Sequence, residues 1–187
     1  MVSLPPRDGS ASAQTTLSSR PSVAEVWTWL GEVPDPEIPV ISLVDLGIVR
    51  GVEWMGDGDN ATLLVRITPT YSGCPATQVI AGDIKDALAA RGVLRVTIET
   101  SLSPAWTTDW LSDIGRERLR DYGIAPPGTR EEVLVPLTRR GAPVATIACP
   151  RCGSSRTRLV SEFGSTPCKA HYACMECLEP FDYFKPI

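Results

Sequence analysis

Apolar residues recur at helical intervals as soon as the chain passes residue 21. Val23, Val26, Trp27 and Leu30 follow Ser22 and Glu25, whose spacing is that of a capping box. This predicts a first helix that ends before Pro34. The period then changes to two. In "ATLLVRIT", Leu63, Val65 and Ile67 alternate with Thr62, Leu64, Arg66 and Thr68, and "IVRGVEW" lies on the other side of the turn-rich "MGDGDN". These segments predict a β-hairpin. Helical spacing returns over residues 75–91, where Ile80, Ile84, Ala87 and Leu88 share a stripe and Gly92 acts as the stop before a strand, "VLRVTIET". A charged helical stretch then runs to Tyr122. The order helix, hairpin, helix, strand, helix predicts a small two-layer α/β domain over residues 22–122.

Two stretches lack such periodicity. Residues 1–21 are rich in Ser, Pro, Ala and Thr and cannot bury enough apolar surface to offset the entropy of ordering, which predicts a disordered tail. Residues 123–143, "GIAPPGTREEVLVPLTRRGAP", read as a Pro-rich linker. Its prolines make it a moderately stiff spacer, so a terminal β module over residues 144–187 is expected to sit tethered at limited range.

A chain of 187 residues and 20.2 kDa, 43% apolar, suffices for one compact domain plus a smaller module. A net charge of -4 and a pI near 5.1 give no general attraction to phosphate backbones or anionic lipid, which argues against nucleic-acid and membrane partners. No run approaches the ~18 apolar residues of a membrane span, and the N-terminal residues lack the apolar core of a signal peptide. The expected location is the cytoplasm.

In that reducing setting, six cysteines point to metal rather than to disulfides. Cys149 and Cys152 in "CPRCG" and Cys174 and Cys177 in "CMEC" form two C-x-x-C pairs. The gap between them slightly exceeds the ~15 to 20 residues of the usual zinc template. Each pair wraps one side of a tetrahedral ion, and Gly153 suits the turn. The expected product is a β zinc ribbon with a structural ion. Four-thiolate iron is the alternative, since sulfur ligation alone does not separate the two metals. Cys168 and His171, in "GSTPCKAHY", lie inside this segment but outside both pairs. His171 reads as a solvated or packed ring rather than a ligand. Cys168 reads equally as a small buried residue or a reactive surface thiol. From Cys149 onward five Lys or Arg face four acids, so the footprint of a nucleic-acid-binding ribbon is missing.

Cys74, in "TYSGCPATQ", stands apart. Pro75 favours the first helical position, which places Cys74 at the N-cap, where the helix dipole and free N–H groups lower a thiol's pKa. The expected thiolate is a nucleophile or a metal ligand; filling a strand–helix corner is the bland alternative. "PDPEIP" supplies an acidic loop with Asp35 and Glu37, which alone reads as a solvated turn. Asp45 before Gly47 reads as a turn feeding the first strand. A thiol-dependent enzyme would use Cys74 as nucleophile with Glu37 or Asp35 as base, yet such a thiol normally needs a nearby histidine, and the only one is His171.

"DPEIPVISLVDLGIVRGVEW", "TPTYSGCPATQV", "LSPAWTTDWLSDIGRERLRDYGIAPP" and the four-cysteine segment together resemble the PaaD family of the phenylacetate-degradation pathway, over nearly everything after residue 22. The first half is similar to the wider family of iron-sulfur assembly factors that includes SufT, with its D-P-E loop, D-L-G and T-P-x-x-x-x-C-P pattern. The resemblance implies a non-catalytic accessory protein in maturation of the multicomponent phenylacetyl-CoA epoxidase, whose oxygenase holds a carboxylate di-iron centre and whose reductase carries flavin and a two-iron two-sulfur cluster. Those subunits are the implied partners, with a second copy of the chain as a further one. Cys74, Asp35 and Glu37 are the implied site for a transient iron ion or cluster. One thiolate falls short of the four ligands that clusters usually take, so a partner must complete the shell. Losing the ribbon's metal is expected to unfold the ribbon and spare the first domain.

Overall fold

The computed structural model describes residues 20–128 and 147–186, so most of the expected tail and most of the expected linker lie outside the described residues. The first helix, α1 (Val23–Leu30), opens with the capping box: the Ser22 hydroxyl accepts the Glu25 N–H at 3.2 Å, and the Glu25 carboxylate accepts the Ser22 N–H at 2.8 Å. Val26 and Leu30 are fully buried beneath it. Strands β1 (Val49–Met55) and β2 (Thr62–Ile67) form the antiparallel hairpin, with a register shift between Val49 and Gly51. Helix α2 (Thr77–Ala89) buries Ile80, Ile84 and Leu88 and leads through Gly92, at φ +85°, to β3 (Val96–Thr100). β3 lies parallel to β2, which makes β2 the centre of the sheet β1-β2-β3.

The loop between α1 and β1 is held from both ends. Pro34 bridges to Ser42, and the Asp45 carboxylate accepts from the Ser42 hydroxyl, the Ser112 hydroxyl and Arg118, each at 2.9 Å. Ser112 caps α3 (Asp113–Tyr122) and Arg118 rides on it. The aspartate expected only to shape a turn therefore fastens the acidic loop to a helix 67 residues further on.

The second sheet departs from expectation. β5 (Thr157–Ser161), β6 (Lys169–Cys174) and β7 (Pro180–Phe184) form the ribbon, but its fourth strand, β4 (Ile124–Ala125), comes from the start of the expected linker and pairs in parallel with β7. Gly123, in the left-handed region at φ +92°, ends α3 and turns Ile124 and Ala125 onto the sheet, where both are buried. The ribbon is docked rather than tethered. Phe184 is fully buried in the first domain's core, its ring 5.9 Å from that of Trp106, and Cys168 joins the same cluster. Trp106 is itself fixed by its indole N–H to the Leu46 carbonyl at 2.9 Å. Burying a phenylalanine contributes about 2–3 kcal/mol, which favours contact over free tethering.

Candidate metal centre and thiol-carboxylate site

The two C-x-x-C pairs converge. Cys149 Sγ lies 3.8 Å from Cys177 Sγ, and Cys152 Sγ lies 3.6 Å from Cys174 Sγ; all four sulfurs fall within 4.8 Å of one another. A tetrahedron with metal–sulfur bonds of ~2.3 Å has edges of about 3.8 Å, so the set fits a four-thiolate metal ion. Cys149 sits on the turn that closes with its carbonyl accepting the Gly153 N–H at 2.9 Å, where Gly153 takes φ +73°. Cys174 ends β6, and the Cys177 and Glu176 N–H groups hold its thiol down to about 7. An oriented amide dipole favours the thiolate that a metal requires. His171 stands outside this set, with Nδ1 3.4 Å from Asp182 Oδ1 on the neighbouring strand.

The second group of side chains is built on loops. In "PDPEIP", Asp35 is buried, and its Oδ1 accepts the N–H groups of Glu37 and Ile38, both at 2.9 Å. That carboxylate thus shapes the loop it belongs to, which is the turn reading of the motif with the solvent removed. Burial pushes its pKa up against the two amide bonds and the pull of Lys169. Glu37, half-buried, is also pushed up, first by burial and then by Asp35.

Cys74 lies two residues ahead of the N-cap of α2, which is Ala76, rather than at the cap itself. Its carbonyl accepts the Thr77 N–H at 3.3 Å and the Thr77 hydroxyl at 2.9 Å, a tight turn feeding the helix. The expected acidity also reverses. Burial raises the thiol's pKa, and Glu37 and Asp35 push it further, outweighing the Ala76 N–H and the Thr77 side chain that favour the thiolate. The neighbours that lower a thiol's pKa at a helix start are present here; the carboxylates and the loss of solvent outweigh them. The acidic loop and the thiol, 37 residues apart in the chain, are thereby close enough in space to perturb one another.

Sequence reasoning missed the rest. Cys168, only 5% exposed, places Sγ 4.0 Å from Glu37 Oε2 and 3.0 Å from Thr166 Oγ1. Its carbonyl accepts the Lys185 N–H at 2.9 Å. The next residue, Lys169, is buried and reaches Asp182 at 3.4 Å while acting on Asp35, Glu37 and Cys168. The Tyr71 phenol is raised by burial and by Cys74, Glu37 and Cys168 together. The one sequence signal for Cys168 was that it belongs to neither C-x-x-C pair.

Comparison with known proteins follows this division. Residues 23–98 match the iron-sulfur cluster assembly protein family, and residues 135–185 match the PaaD zinc beta ribbon domain. The chain is 49% identical over 168 residues to a protein of Escherichia coli K12 named as a subunit of 1,2-phenylacetyl-CoA epoxidase, covering 89% of this chain and 94% of that protein. It is 34% identical over 84 residues to the Fe-S protein maturation auxiliary factor YitW of Bacillus subtilis, covering 44% of this chain and 78% of that protein. Among solved structures, a DUF59 domain of unknown function from Bacillus anthracis overlaps 51% of this chain and 89% of its own, at 26% identity and a TM-score of 0.46. With an assembly-type first domain, a four-cysteine ribbon and a near full-length relative at 49% identity, the chain belongs to the PaaD family.

Proposed function

We propose that the chain is an accessory maturation factor that assists insertion of iron or an iron-sulfur cluster into the multicomponent phenylacetyl-CoA epoxidase. The observation that carries this reading is that Glu37 and Asp35 come near enough to Cys74 to raise its pKa, with Asp35 acting likewise on Glu37. A soft thiolate beside hard carboxylates suits iron, and three donors fall short of a closed shell. An ion held this way is easily passed on. The thiol keeps its proton until metal displaces it, and regaining the proton favours release. Membership of the family supports the reading, as do the names of the two relatives, one an epoxidase subunit and one an Fe-S maturation factor. The oxygenase and reductase subunits are the proposed clients, met in the cytoplasm.

In the ribbon, zinc is the proposed occupant, with a structural role. Its ligands are Cys149, Cys152, Cys174 and Cys177, and its chemistry is to neutralise four thiolates and pin two turns.

A thiol enzyme is disfavoured by the same geometry. A nucleophilic cysteine needs a depressed pKa and an orienting base, whereas the Cys74 thiol is pushed up and the chain's single histidine is engaged with Asp182.

The test is coexpression of the epoxidase subunits with this chain, without it, and with a Cys74→Ser variant, followed by iron and sulfide analysis of the purified epoxidase. Higher metal content with the native chain, falling to the level without it for Cys74→Ser, is the expected result. Equal metal content and activity in all three would overturn the proposal.

A further inference from the structure

We propose that the cleft at the turn end of the first hairpin binds an organic diphosphate, with Arg20, Arg91 and Arg95 holding the phosphates and Leu94 receiving the attached body. None of the cysteines lines this cleft. Ala61, in its wall, immediately precedes β2, whereas Cys74 follows that strand, whose length is roughly 20 Å at ~3.3 Å per residue.

The walls stand on fixed backbone. The Pro21 carbonyl accepts the Trp54 indole N–H at 3.0 Å, which fastens the residue after Arg20 to β1, and the Arg20 guanidinium lies over that ring, its carbon 5.1 Å from the centroid. The Arg95 carbonyl accepts the Leu63 N–H at 2.9 Å, and the Arg95 side chain donates to Asn60 Oδ1 at 2.9 Å. Arg91, just past the end of α2, closes a third side, donating to the Ala87 carbonyl at 3.2 Å and pairing with Glu32. They border a cleft of about 560 Å³, a volume within the range of small-molecule sites.

Charge selects the ligand. Three guanidiniums line the cleft against one carboxylate, Asp57, although the chain as a whole carries a net charge of -4. Among the described residues, Arg20 and Arg95 have no carboxylate within 4.0 Å, so their charge is left for a ligand. A guanidinium offers paired N–H donors that match phosphate oxygens. Guanidiniums on three sides suit an anion whose oxygens face several directions, as those of a diphosphate do and those of a single carboxylate do not. Leu94 supplies the other half. It is 81% exposed on the cleft wall beside the buried Val93, an apolar surface for the ligand's organic body to cover.

Adenosine diphosphate, inorganic pyrophosphate and adenosine are the probes, each titrated into the full-length, zinc-loaded protein and followed by calorimetry and by its proton–nitrogen correlation spectrum. Adenosine diphosphate should bind best, pyrophosphate more weakly and adenosine not at all. The Trp54 indole N–H should shift on binding, while that of Trp106, buried beside Phe184, stays in place. Arg95→Gln should weaken adenosine diphosphate about tenfold, and Leu94→Ser should reduce its affinity to that of pyrophosphate. Asp57→Asn should tighten binding several-fold by removing a like charge, a gain that damaged folding does not produce, and the Asp57 side chain makes no capping bond that the change would break. Absence of saturable binding by either phosphate would overturn the site, as would binding that leaves the Trp54 resonance unmoved and is indifferent to Arg95→Gln and Asp57→Asn. Equal affinity of the native protein for adenosine diphosphate and pyrophosphate would overturn the role of Leu94, and adenosine binding as tightly as its diphosphate would overturn the role of the arginines.

Discussion

Asp35 carries two duties that substitution separates. Its buried carboxylate accepts two backbone N–H groups, so Asp35→Ala leaves both without a partner and should cost about 1–3 kcal/mol. Asp35→Asn retains an acceptor and removes the charge. Because burial raises the carboxyl's pKa in the folded state above its unfolded value, its favourable contribution is complete below the unfolded value, ~3.9, and is lost as pH rises through the folded one. At neutral pH the charge is therefore a cost. Asp35→Asn should unfold at the same or a higher temperature than the native protein at pH 7, and that advantage should shrink as the pH is lowered toward 4. Thermal unfolding across this range checks the sign. Cys74→Ser tests the other duty at the same scale. A hydroxyl accepts the Ala76 N–H at least as well as a thiol does, so stability should change by less than about 1 kcal/mol. Serine is a poor ligand for a soft site, so support of epoxidase activity should be lost, and thermal unfolding beside activity in cells separates the two effects.

Among the elements, the D-L-G segment shows how a loop is locked against a helix. Gly47 takes φ +73°, and a Cβ there would lie 2.6 Å from the Trp110 carbonyl oxygen. Gly92 also has a positive φ, +85°, but nothing lies within 4 Å of its missing Cβ. Gly92→Ala should therefore cost only the left-handed backbone, about 1–2 kcal/mol. Gly47→Ala adds a clash with backbone that cannot give way and should cost roughly 3–5 kcal/mol, with the Asp45 bonds to Ser112 and Arg118 strained as well. Urea unfolding of the two variants, with equal slopes, measures the difference.

Across the whole molecule, the shared core predicts that the two modules unfold as one cooperative unit. Phe184 and Cys168 come from the ribbon and are buried with Val26, Leu30 and Trp106 of the first domain. Loss of the ribbon's metal, by chelation or in Cys177→Ser, should lower the melting temperature of a single transition covering both modules. Two transitions with an unmoved upper one would instead mean that the first domain stands alone. Phe184→Ala should cost about 3–5 kcal/mol for the same reason, although Phe184 is the last residue of a ribbon strand.

The amino-acid order by itself determined most features that depend on near neighbours, although Pro75 did not place Cys74 at the N-cap of α2, which is Ala76. The Ser22–Glu25 capping box, the stripe of Ile80, Ile84 and Leu88, the alternation of Leu63, Val65 and Ile67, and the two C-x-x-C turns all act over a few residues, and each formed as its spacing predicted. The parallel addition of β3 to β2, the recruitment of Ile124 and Ala125 to the ribbon and the docking of Phe184 were decided by surfaces that meet only after folding. The same holds for chemistry. A helix start predicts an acidic thiol at Cys74, but burial and two carboxylates from a loop 37 residues earlier reverse the sign. Cys168 touches Thr166 locally, but its contact with Glu37, 131 residues away, is made only by the tertiary structure. Hydrogen bonds in caps and turns are local and legible in the chain, whereas dielectric, charge and ligand geometry are sums over whatever the tertiary structure brings within a few ångströms.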